Sequence, residues 1–135
     1  MTSPASRLPS TRRERRRARG LAARLSGRRG EWLAAVWLMA KGYRILGFRL
    51  KTPMGEIDLL AQKGEVLAVV EVKLRASLEA ALDAVTVRQR ERLRRAAQAI
   101  ARRRPALAHA TIRLDLLALA PGRRPRHIAD AWRGH

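Results

Sequence analysis

The nine residues Val66 to Leu74 read Val-Leu-Ala-Val-Val-Glu-Val-Lys-Leu, seven apolar side chains interrupted only by Glu71 and Lys73. The run is too short for a core helix and rich in β-branched residues, so it reads as a strand. It lacks polar alternation as far as Val70, which predicts burial on both faces. A strand of that kind needs a covering layer on each side. The expected architecture is therefore α/β, a central mixed sheet flanked by helices.

The flanking sequence supplies those layers. Glu31 to Lys41 has apolar residues at Leu33, Val36, Trp37 and Ala40, a helical spacing that Gly42 ends. Tyr43 to Lys51 and Glu56 to Gln62 read as strands joined by Thr52-Pro53-Met54-Gly55. Leu78 to Ala84 suits one or two helical turns. Thr86 to Arg104 is a long helix with Leu93, Ala96, Ala97 and Ile100 inward, and Pro105 stops it. Thr111 to Leu119 is a fourth strand, and His127 to Trp132 a short final strand or turn. The aromatic residues Trp32, Trp37, Tyr43, Phe48 and Trp132 mostly suit core positions, with no stacking platform for single strands.

Charge divides the chain. Residues 1–30 contain ten Arg and a single acid, Glu14, with few large apolar side chains. A basic tail without a fold is expected over residues 1–26, and a domain over 27–135. The tail is either a solvated cationic extension or a non-specific grip on phosphates. Arg12-Arg13 resembles a twin-arginine signal, but the first apolar run starts about twenty residues later and Lys41 ends it, so export is not expected. That run, Trp32 to Ala40, is too short to span a bilayer. The absence of Cys excludes disulfides, thiolate catalysis and cysteine-ligated metals, and it fits a cytoplasmic protein. A net charge of +19 points to a polyanionic partner, nucleic acid before a membrane surface. It does not separate a binder from an enzyme.

The eleven acids carry more information than the thirty bases. Strand periodicity puts Glu56 and Asp58 on one face with Ile57 and Leu59 on the other, and Glu71 and Lys73 together on the next strand. A charge in so apolar a strand is costly unless it is paired or bound to an ion. Two carboxylates can hold Mg²⁺ or Mn²⁺, such a metal can activate water against a phosphodiester, and a neighbouring ammonium can neutralise charge developing on the phosphoryl oxygens. An Asp on one strand followed by Glu-x-Lys on the next is the pattern of the PD-(D/E)xK nucleases. A salt-bridged sheet edge gives the same letters.

Longer segments add to this. Gly27-x-x-Gly30-Glu31, Lys41-Gly42-Tyr43-Arg44-Ile45-Leu46, Gly55-Glu56-Ile57-Asp58-Leu59 and Val69-Val70-Glu71-Val72-Lys73-Leu74-Arg75 come in that order, followed by Ile112-Arg113-Leu114-Asp115 and His127-Ile128-x-Asp130-Ala131-Trp132. Over about residues 27–132 this resembles the YraN family, small bacterial proteins assigned a restriction-endonuclease-like fold and likened to archaeal Holliday junction resolvases. The resemblance implies Asp58, Glu71 and Glu31 as metal carboxylates for Mg²⁺ or Mn²⁺, Lys73 as the catalytic lysine, structured (branched or flapped) DNA as substrate, and a possible homodimer. The bland reading of Glu31 is a first-turn Glu that favours the helix N-terminus. Glu56 is expected to be structural, pairing with Lys51 or Arg75. Arg75 suits a phosphate contact or a salt bridge. Arg88, Gln89, Arg92 and Arg95 at the start of the long helix form a candidate phosphate-tracking face or a solvated one. Asp115 is expected in a strand-surface ion pair with Arg113. The chain departs from relatives at Arg88-Gln89-Arg90, where they offer a Lys, and at Ser77-Leu78-Glu79-Ala80, where they place an aromatic–Gly pair. The alternative to an enzyme is a non-catalytic nucleic-acid-binding protein on the same fold. Carboxylates beside a phosphate-binding surface repel DNA, and that favours metal binding over simple binding.

Overall fold

A computed structural model describes residues 30–133 of the chain. The expected tail over 1–26 lies outside the described residues. A helix (α1) covers residues 30–40 of the described part. It is followed by β1 (Arg44–Thr52), β2 (Gly55–Lys63), β3 (Val66–Leu74), α2 (Leu78–Asp83), α3 (Val87–Arg103), a 3₁₀ turn (Pro105–Leu107), β4 (Thr111–Leu119) and β5 (Arg126–Ile128). The strands form one mixed sheet in the order β1-β2-β3-β4-β5. The first three make an antiparallel meander, β4 joins β3 in parallel after the helical crossover, and β5 folds back antiparallel on β4.

The strand that prompted the expectation of two covering layers lies in the middle and is covered on both sides. Ala68 and Val70 pack with Ala34, Ala35 and Leu38 of α1, whereas Leu67 and Val69 pack with Leu93, Ala96 and Ala97 of α3. Each fully buried Leu in these layers contributes roughly 1.5–3 kcal/mol. The two helices show why an apolar face can mislead. In α3 the expected inward residues Leu93, Ala96 and Ala97 are buried. Thr86 caps that helix: its Oγ1 accepts the Gln89 N–H at 3.1 Å while Gln89 Oε1 accepts the Thr86 N–H at 2.9 Å. In α1 the apolar set Leu33, Val36, Trp37 and Ala40 does not form the buried face, although Trp37 packs partly against the core. Ala34, Ala35 and Leu38 are buried, whereas Leu33, Val36 and Ala40 are exposed. Both faces of α1 are apolar, so spacing alone could not choose between them. Small side chains won because they let the helix sit close to the sheet; a Cβ on Gly30 would lie 2.9 Å from Leu119 Cδ1.

Two more expectations are corrected. Trp32 is 66 % exposed and Phe48 38 %, their rings 6.0 Å apart, so these aromatics are not core residues. Asp115 is in the predicted pair with Arg113, but it is buried and not on the surface. Arg113 donates Nε to Oδ1 at 2.8 Å and Nη2 to Oδ2 at 2.7 Å. His127 Nε2 lies 2.7 Å from Oδ2, and the Asp130 N–H donates to Oδ1 at 3.0 Å. Lys41 Nζ is 2.6 Å from His127 Nδ1, which assigns the ring proton to Nε2, facing Asp115. One carboxylate thus ties β5 and the end of α1 to β4. Burial alone raises its pKa; the hydrogen bonds from Arg113, His127 and Asp130 outweigh burial and hold it below the ordinary aspartate value.

Among the described residues no helix is long and apolar enough to cross a membrane.

Candidate active site

The site begins where β2 separates from β3. Their pairing runs from Lys63 opposite Val66 as far as Leu59 opposite Val70. Beyond that point the Asp58 side chain takes over from the backbone, its Oδ2 accepting the Val72 N–H at 3.0 Å. The carboxylate is therefore fixed at the fork of the two strands, against the residue before Val72, which is Glu71. The irregularity also alters the strand's alternation. Leu59 joins the core under α1 and Ile57 the core under α3, so they do not share one face as strict period-2 reading predicts. Glu56 remains exposed and opposite Lys51, the position expected of a structural residue.

Glu71 is the electrostatic centre of the group. Its side chain is 12 % exposed, with Lys73 Nζ 3.6 Å from Oε2. Burial first, then the charge and hydrogen bond of the nearby Asp58 carboxylate, together raise its pKa to about 8, with Lys73 only partly offsetting them. Two interacting carboxylates at a partly dry strand fork hold a proton at neutral pH, and a divalent cation offers an alternative to that proton.

Glu31 is placed differently. Both its oxygens accept from Arg49 Nε, at 3.0 and 2.8 Å, in an ion pair between α1 and β1. Arg49 lies between the Phe48–Leu59 and Leu50–Ile57 pairs, opposite Asp58. Its pKa is raised, first by the hydrogen bond to Glu31 and its charge, and further by Glu56 and Asp58. Its φ of 46° is left-handed, a conformation that costs a non-Gly residue roughly 1–2 kcal/mol. No local signal marks this residue: Phe48-Arg49-Leu50-Lys51 reads as an ordinary edge strand.

The structure therefore brings Asp58, Glu71 and Lys73 together and gives Glu31 an arginine partner. Among the described residues no group of three or more His, Asp or Glu is arranged to hold a metal ion. Asp58 and Glu71 alone fit Mg²⁺ or Mn²⁺ in chemistry, being hard oxygen donors for a cation that keeps several waters. Arg75 lies one residue past β3, its N–H bonded to the Leu119 carbonyl at 3.0 Å. Arg88, Arg92 and Arg95 are exposed on α3, and the Gln89 side chain serves the capping box.

Known sequences place the chain among relatives. Residues 30–119 match the model of the uncharacterised protein family UPF0102. A UPF0102 protein of Caulobacter sp. (strain K31) is 71% identical over 121 residues, 90% of this chain and 87% of that protein. One from Caulobacter vibrioides (strain NA1000 / CB15N) is 67% identical over 119 residues, 88% of this chain and 95% of the relative. One from Parvibaculum lavamentivorans is 48% identical over 130 residues, 96% and 98% of the two chains. The matched region contains Glu31, Asp58, Glu71 and Lys73. The chain belongs to the uncharacterised protein family UPF0102, the YraN family.

Proposed function

We propose that this chain is a metal-dependent endonuclease built on a restriction-endonuclease-like core, hydrolysing phosphodiester bonds of branched or flapped DNA with Mg²⁺ or Mn²⁺. The observation that carries the reading is the Asp58–Glu71 pair beside Lys73. Glu71 is lifted to about 8 by burial and by Asp58. A protein gains nothing in stability from two carboxylates set against each other in a sheet, whereas a cation between them resolves the repulsion. Asp58 and Glu71 would hold the metal, which supplies Lewis-acid polarisation of the phosphoryl group and an acidified water.

The residues of the chain then have distinct tasks. The Val72 N–H fixes Asp58 through Oδ2. Lys73, 3.6 Å from Glu71, provides a positive charge for a non-bridging phosphate oxygen or for the attacking water. Arg49 holds Glu31 at the rim of the site. Hydrolysis adds water across one P–O bond, the water proton passing to solvent or to a site base and the leaving oxygen taking a proton from water.

The binder alternative draws on one observation, the engagement of Glu31 by Arg49, which leaves two carboxylates in contact instead of three. A cleavage screen over duplex, flap and four-way-junction DNA with Mg²⁺ or Mn²⁺ separates the two. Cutting by the parent that disappears in Glu71→Ala, with DNA binding retained, supports the enzyme. Equal cutting by Glu71→Ala refutes this site, and DNA binding without any cutting supports the binder.

A further inference from the structure

The arginines expected to track phosphates lie on α3, but a different set surrounds the end of the sheet. Arg75, Arg123, Arg124 and Arg126 line one shallow groove there, together with the first turn of α2. No carboxylate lines it, and none of the four is in an ion pair among the described residues. The larger pocket beneath the start of α3 differs. It gathers Arg90, Arg94 and Arg133, but Glu91 and Asp130 lie among them and offset much of their charge. Among the described residues the groove gathers four arginines with no carboxylate in its lining, whereas on α3 Glu91 shares a face with Arg88 and Arg95.

Register ties this groove to the candidate site. Lys73 is paired with Ala118, and Ala118 with Arg126. Residues directly opposite project from the same face, so Lys73 and Arg126 stand in one row two interstrand spacings apart, about 10 Å. Leu78 of α2 packs with Ala118 between them and blocks a straight path along that row. The open path runs over the end of the sheet, where Arg75 lies two residues past Lys73, about 7 Å along the strand. The loop carrying the other arginines is held in shape. Gly122 adopts a φ of 70°, the Arg123 N–H donates to the Ala120 carbonyl at 3.2 Å, and Pro125 is buried.

We propose that the groove formed by Arg75, Arg123, Arg124 and Arg126 binds the phosphate backbone of the DNA strand leaving the Asp58–Glu71–Lys73 site, and that it, more than the arginine face of α3, sets DNA affinity. The substrate class rests on the endonuclease reading above; the location of the groove does not.

The test is equilibrium binding of a labelled flap DNA to the full chain by fluorescence anisotropy, in EDTA so that no cleavage occurs, across a salt series. Three proteins are compared: the parent, a groove triple variant (Arg123→Gln, Arg124→Gln, Arg126→Gln) and an α3 triple variant (Arg88→Gln, Arg92→Gln, Arg95→Gln). Both variants lose three charges from exposed positions, and matching circular dichroism and melting temperatures check their folding. The groove variant should lose tenfold or more in affinity, and the slope of log K against log salt should fall by roughly 2–3. The α3 variant should change that slope by less than about one. An α3 variant that loses as much as the groove variant, or a groove variant indistinguishable from the parent, overturns the proposal while leaving the nuclease reading intact. A parent that binds anionic phosphatidylglycerol vesicles but not DNA overturns both. In cleavage assays the groove variant should show a raised KM with kcat preserved, and a loss confined to kcat counts against a backbone-binding role.

Discussion

Replacing Glu71 with Gln should make the apoprotein more stable at neutral and alkaline pH. In the folded chain, burial and Asp58 raise the Glu71 carboxyl to about 8. In the unfolded chain the same group titrates near 4.3. Below that value both states hold the proton and the site adds no pH dependence. Between the two values the unfolded chain releases a proton that the folded chain keeps, so stability falls as pH rises. Above about 8 the loss is complete. At about 1.4 kcal/mol per pKa unit the full loss is roughly 5 kcal/mol. Lys73 can close from 3.6 Å on an ionised Glu71, and water reaches the exposed edge of the site, so a measured loss of about 2–4 kcal/mol is expected. Glutamine keeps the shape, donates to Asp58 and carries no charge. Urea unfolding of parent and Glu71→Gln in EDTA, from pH 4.5 to 9, reads the difference directly and cancels the titrating groups that do not touch Glu71. The curves should meet at the acid end and diverge as pH rises, with the variant more stable. Parallel curves across that range would refute the strand-fork electrostatics described above. Millimolar Mn²⁺ should bring the parent curve up towards the variant's without moving the variant.

Other expectations follow from the same structure. Asp115→Ala leaves the half-buried Arg113 and the buried His127 without their carboxylate and should cost about 3 kcal/mol by chemical unfolding. Because the pKa of Asp115 is lowered in the fold, its contribution is present above the ordinary aspartate range and lost as pH falls through the folded value, so Asp115→Asn should flatten the acid limb of a stability–pH profile. Thr86→Ala removes the cap of α3 and should cost about 1 kcal/mol in a thermal or urea melt. Leu38→Ala opens a cavity between α1 and the sheet and should cost about 2–5 kcal/mol, whereas Leu33→Ala, on the exposed face of the same helix, should cost well under 1 kcal/mol.

The fold was readable where residue type left one solution. An apolar run bounded by turns fixed β3 and β4 residue for residue, and Thr86 and Pro105 bracketed α3. It was unreadable where two solutions shared one pattern. Helix α1 is apolar on both faces, and only the close approach of Gly30, Ala34 and Ala35 to the sheet decides which turns inward. The site divides similarly. Asp58, Glu71 and Lys73 come together because they lie on adjacent strands with Glu71 and Lys73 two residues apart, both visible in the letters, whereas the fork at Asp58, where alternation fails, is not. Arg49 depends on a left-handed backbone in an edge strand, and Arg123, Arg124 and Arg126 depend on how β5 folds back. Neither leaves a local signature. Asp115 resembled a surface ion-pair residue because its other partners, His127 and the Asp130 N–H, are distant in sequence.

The account stands on Asp58 and Glu71 taking a divalent cation, and calorimetric titration of Mn²⁺ into the chain at pH 7 tests that most directly. Glu71 holds its proton at that pH, so the cation must displace it. The account predicts saturable binding whose heat changes with the ionisation enthalpy of the buffer, corresponding to release of up to about one proton per cation, and loss of both binding and proton release in Glu71→Gln. No heat at millimolar Mn²⁺, or equal binding by Glu71→Gln, would contradict it.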